Sequence, residues 1–160
     1  MSYTDSLNLV IIINGVGIPA RVLPGYIADK YTGVLNIFIP IIIANAILIF
    51  SWLGVSNIAG FYAFTVVYGI VAAGFQSLFP TAVGSLSPDL SKAGTRLGMA
   101  FSTISFSALV GGPIGGAILQ ADDRNYQGPI VWAGVSTVCG IFLIIGARVA
   151  RKGWDPKIKC

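Results

Sequence analysis

Arg21 is the residue best placed to do chemistry, because it interrupts a largely apolar stretch between Leu7 and Ile27. If that stretch is a helix across a membrane, Arg21 lies roughly 10 Å from its end at 1.5 Å per residue. A guanidinium at membrane depth is costly and marks an ion or substrate path. The plainer reading is a stem that snorkels to the headgroups. Asn14 and Gly17 precede Arg21 by seven and four residues, so the three share one helical face. That face is polar and narrow, as a cavity lining would be. A second stripe carries Tyr62, Thr65, Gly69 and Gln76, and a third carries Ser102, Ser105, Gly112 and Gly116. Tyr62, Gln76, Ser102 and Ser105 are candidates to line a solute path. The competing reading of both stripes is helix packing, since small residues and hydroxyls bring helices together.

Other chemistries are excluded outright. The chain has no histidine and no glutamate. A Ser–His dyad and a histidine-based zinc site therefore cannot be built. Cys139 and Cys160 lack metal-ligand spacing, and Cys160 is the last residue, so it forms no prenylation box. No cofactor or metal is implied, and an enzyme would have to work with scattered Asp, Lys and Ser. Gly111-Gly112-Pro113-Ile114-Gly115-Gly116 holds two overlapping G-x-x-x-G spacings. These permit close backbone approach, and Pro113 loosens the hydrogen bonding there.

Two further segments read as loops with a switching role. One is Arg21 to Gly33, with Gly25, Asp29 and Lys30 in a compact Gly-x-x-x-Asp-Lys pattern. The other is Ser87 to Met99, with Asp89, Lys92 and Arg96. A carboxylate at a helix end can pair with a neighbouring arginine or cap an adjacent helix N-terminus. Such a contact holds one conformation and releases in another. The bland reading is a pair of solvated loops.

The elements that must position these residues follow from composition. The 160 residues are 55% hydrophobic and only 10% charged, with mean hydropathy +0.82. An ordinary soluble domain carries about 25% charge. The charges are also clustered: 58 residues from Tyr31 to Pro88 carry none, nor do 25 from Leu97 or 23 from Asn125. A span needs roughly 20 apolar residues. The expected spans are 7–27, 34–53, 59–79 (ended by Pro80), 97–119 and 129–147, with a basic tail over 148–160. The alternating pattern of a membrane barrel is missing, so the fold class is an all-α polytopic bundle.

Lysine and arginine sort nine to one between the two sides, with Arg124 alone on the minority side. The positive-inside rule makes the majority side cytoplasmic, which puts the N-terminus outside and the C-terminus inside. The charge of +4 is thus topological, not a nucleic-acid signal. No basic n-region or cleavage site precedes the first span, so it is not read as a signal peptide. An odd number of spans with an external N-terminus is expected of a piece of a longer polytopic protein.

Gly25-Tyr-Ile-Ala-Asp29-Lys30 resembles the loop signature of the major facilitator superfamily. The segment Ser87 to Met99, the glycines of 111–116 and the tail Gly153-Trp154 resemble fungal monocarboxylate-transporter-like members, so the resemblance covers nearly the whole chain. It implies helices eight to twelve of a twelve-helix transporter, the C-terminal half less one helix. It implies that the first, third and fourth spans face the substrate cavity, and that Arg21 binds an anionic solute or locks a gate. Gly25, Asp29, Lys30, Asp89, Lys92 and Arg96 would belong to the cytoplasmic gate. The expected partners are a lipid bilayer (the plasma membrane), a small organic solute and the missing N-terminal half.

The resemblance is imperfect at three positions. Thr32 stands where the signature has glycine, and Gly33 follows. Ala20 stands where glycine is common, and Gly17 where related proton-coupled carriers have an aspartate. Proton coupling through an Asp–Arg pair is therefore not carried over. The rival expectation is a non-transporting membrane module that dimerises through the glycines of the fourth span or pairs with another transporter chain.

Overall fold

The computed structural model describes residues 3–85, 90–122 and 125–152. Five helices carry the chain: α1 (Tyr3–Ile27), α2 (Val34–Ser51), α3 (Ile58–Ser85), α4 (Ala93–Ala121) and α5 (Gln127–Lys152). All five contain segments long and apolar enough to cross a membrane. In lipid, a helix satisfies every backbone group within its own segment, and no described residue forms a strand.

The connections are tight. Residues Ala28–Thr32 form one π-helical turn after α1. The Gly33 amide closes it on the Ala28 carbonyl at 2.9 Å. Gly33 has φ 83°, a conformation that glycine adopts without strain, and it turns the chain into α2. A π turn uses one more residue than an α turn. The turning glycine accordingly falls at 33, and Thr32 occupies the position where the signature has it. A 3-10 turn, Trp52–Gly54, closes α2. Asn125 starts α5 by accepting the Gln127 amide at 3.2 Å.

Helix ends differ from expectation in one consistent way. Pro80 does not end the third helix, because α3 runs on to Ser85. Proline removes the amide that the Gln76 carbonyl would use. The Ser77 and Thr81 hydroxyls reinforce the same turns by donating to the carbonyls of Gly74 and Ser77. Much of the chain between the third and fourth expected spans is also helical: α3 takes its first residues, a 3-10 turn covers Leu90–Lys92, and Arg96 lies in α4. Gly25 is inside α1, and Asp29 and Lys30 are in the π turn, not in a loop. Arg148 belongs to α5, not to a tail. These charged residues near the expected span ends thus lie within helices or helical turns.

The core lies between α2, α3 and α5. Ala28, Val34, Leu35, Phe38, Leu78 and Ala82 form one buried cluster, with Phe75 and Ile144 against it. Ile42, Ala46 and Ile141 extend it along α2 and α5. Phe38 and Phe75 stack at 5.4 Å between ring centroids. The close approach of α5 to α2 uses Gly134, where an added Cβ would meet the Phe50 ring at 2.6 Å.

Candidate functional site

Helices α1 and α3 lie side by side, and glycines set their separation. A Cβ added at Gly69 would lie 3.3 Å from the Ile13 backbone, and one at Gly74 would lie 3.2 Å from Pro24. Gly17 faces Ala73 across the same seam. Thr65 and Gly69 are buried in it, and the Thr65 hydroxyl donates to the Phe61 carbonyl of its own helix at 2.6 Å. The centre of the third-span stripe is therefore a packing surface.

Polar side chains close this seam at its two ends. Arg21 donates through Nη2 to Gln76 Oε1 at 3.2 Å. Both side chains are exposed, on the flank of the α1–α3 pair. At the other end, the Tyr62 hydroxyl donates to Asp5 Oδ1 at 3.4 Å. Arg21 and Gln76, both expected on the solute path, are thus brought together, and Tyr62 meets a carboxylate that the sequence reading did not single out. Asn14 shares the Arg21 face and is exposed, with its amide turned back to the Val10 carbonyl at 2.9 Å.

The fourth-span candidates are arranged differently. No residue of α4 is buried. Ser102 and Ser105 donate to the carbonyls of Gly98 and Phe101 in their own helix. Gly111, Gly112, Gly115 and Gly116 would meet nothing within 4 Å if they carried a Cβ. Pro113 lies within α4 and is exposed. Among the described residues these glycines pack against nothing. An edge contact between Phe79 and Phe101, 6.0 Å between centroids, ties α4 to α3.

At the basic end, Lys30 Nζ donates to the Tyr26 hydroxyl at 3.3 Å and lies over the same ring, 5.6 Å from its centroid. Asp29, Lys92 and Arg96 are exposed. Asp89 lies outside the described residues.

Two groups escaped the sequence reading. Arg148 Nη2 on α5 donates to Asn36 Oδ1 on α2 at 2.7 Å, across 112 residues of sequence. Asn45 lies further along α2 with its Oδ1 buried. The available signal was two amides within the most apolar span, where a polar side chain needs a partner.

No protein-family model and no solved structure matches the chain. Curated fungal transporters do. An MFS-type (major facilitator superfamily) transporter of Gibberella zeae is 40% identical over 149 residues, 93% of this chain and 34% of the relative. The riboflavin transporter of Saccharomyces cerevisiae is 34% identical over 157 residues, 96% of this chain and 30% of the relative. The aspyridones efflux protein of Emericella nidulans is 32% identical over 157 residues, 98% of this chain and 32% of the relative. The chain spans about a third of the length of these curated relatives. With five helices able to cross a membrane and a match to these transporters along nearly its whole length, the chain is an integral multi-pass membrane protein and belongs to the major facilitator superfamily, carrying part of that helical bundle.

Proposed function

We propose that the chain supplies helices eight to twelve of a twelve-helix fungal transporter that moves a small organic anion, a monocarboxylate, by alternating access. The observation that carries this reading is the Arg21–Gln76 pair, a cation and an amide presented together on an exposed flank of two tightly packed helices. A guanidinium offers several donors in a fixed fork, which suits a carboxylate. Gln76 holds one donor and orients the group until a solute replaces it. Transporters of this architecture bind solute near the midplane between two halves, and this flank is where a partner half would close the site. Asp29, Lys30, Lys92 and Arg96 gather at the basic end, which the lysine and arginine distribution makes cytoplasmic, with the plasma membrane as the home.

The relatives' names span riboflavin and aspyridones, so the solute is read from Arg21 and not from them. The test begins with the native transcript, read upstream of the Met1 codon. The expected result is an open frame encoding about seven further spans, completing the twelve of the proposed parent. That parent, in proteoliposomes, takes up labelled lactate saturably, and Arg21→Gln abolishes the uptake. The 160-residue chain alone takes up none. Saturable uptake by the chain alone, or unchanged uptake by the Arg21→Gln parent, overturns the reading.

A second reading has its own support in the bare face of α4. There the chain is a membrane module that self-associates through Gly112 and Gly116. Replacing both with leucine then abolishes association, and unchanged association removes this reading.

A further inference from the structure

Between α2, α3 and α5 at the basic end lies a cavity of about 140 Å³ lined by Leu35, Phe38, Phe79, Val83, Ile144 and Arg148, with Ala82 and Ala147 completing it. Every lining side chain but Arg148 is apolar. Arg148 is half-buried, and one of its nitrogens is held by Asn36. Its Nε is buried without a hydrogen-bond partner among the described residues. A guanidinium has five donors and no acceptor, and a buried donor left unpaired is destabilising. The site thus combines an apolar slot with a cation at its edge that has donor capacity left over.

We propose that this cleft seats one anionic phospholipid of the adjoining leaflet, with its phosphate on Arg148 and the upper part of one acyl chain in the slot. Charge complementarity selects the occupant. The slot is too small for a whole lipid and holds only a few methylenes, so the remaining chain runs out into the bilayer. A free phosphate would satisfy Arg148 but leave the slot empty, and a neutral hydrocarbon would do the reverse. Basic pockets between spanning helices on the cytoplasmic side hold anionic headgroups by the same combination. Lipid at this point would brace three helices together at their shared end. The inference rests on contacts within this chain and stands whether or not the transport reading does.

The test is native mass spectrometry of the purified chain, titrated with phosphatidylserine or phosphatidylcholine of matched acyl chains. The wild type is expected to retain one phosphatidylserine in preference to phosphatidylcholine. Arg148→Gln lowers that preference about fivefold, the effect of one cation near a lipid surface. The basic tail attracts anionic lipid without any seat, so a second variant is needed. Ala147→Phe starts from an exposed residue on the slot and leaves every charge in place. It is expected to lower phosphatidylserine retention as well. Equal retention of the two lipids by the wild type overturns the proposal. So does a phosphatidylserine preference that survives Ala147→Phe, which would assign the attraction to the tail alone.

Discussion

Helices α3 and α4 are alike in sequence and opposite in use. Both are close to thirty residues long, both carry glycines and hydroxyls at helical spacing, and both contain a proline. Gly69 and Gly74 of α3 lie against the backbone and proline of α1, and Thr65 is buried beside them. Among the described residues the glycines of α4 face nothing, and no α4 residue is buried. A small-residue stripe therefore reports that some surface approaches closely, but not which one. In α3 that surface is in the chain, and in α4 it is not among the described residues.

The comparison breaks most sharply at Gly69. Leucine there drives its Cβ to 3.3 Å from the Ile13 backbone, which cannot move aside without α1. Overpacking of this kind costs about 1–3 kcal/mol. Unfolding of the chain in micelles, followed by tryptophan fluorescence, is expected to show the largest loss of stability here. A loss no larger than that of a change at Gly112 would mean that α1 and α3 are not locked together.

Next in size is Asn36→Leu. It removes the acceptor held by Arg148 and leaves a half-buried guanidinium short of a partner. The expected cost is about 1–3 kcal/mol. The same unfolding assay reads it, and a neutral result would mean that lipid or water already satisfies Arg148.

These two sites also show what the sequence can and cannot carry. The helices were legible because lipid forces apolar runs of sufficient length to be helical. Their ends were not, since Pro80, Arg96 and Arg148 all lie inside helices that outlast their apolar segments. Gln76 and Arg21 were each visible as polar residues in apolar spans, but their meeting depends on the crossing of α1 and α3. The Asn36–Arg148 bond was invisible for the same reason, because a separation of 112 residues leaves no periodic trace.

A smaller effect is expected at Gln76→Leu. The bond to Arg21 is 3.2 Å long and both side chains are exposed, so its loss costs about 0.5 kcal/mol, the low end for a hydrogen bond. Lactate uptake by the proposed parent should fall far more than stability does, because an unoriented guanidinium binds a carboxylate less well. Uptake that follows stability and nothing else would make the pair merely structural.

The smallest effect on stability belongs to the α4 pair, Gly112→Leu with Gly116→Leu. Both added side chains enter open space, so no clash opposes them, and exchanging glycine for leucine inside a helix carries no loss of stability. The variant therefore separates folding from partnership. If it unfolds like the wild type but no longer self-associates, a second copy of this chain covers α4. If association is unchanged and the parent loses uptake, the surface that α4 awaits belongs to the other half of the transporter. The contrast with Gly69 then becomes one of address: the same residue type closes a contact within the chain on α3 and prepares one beyond it on α4.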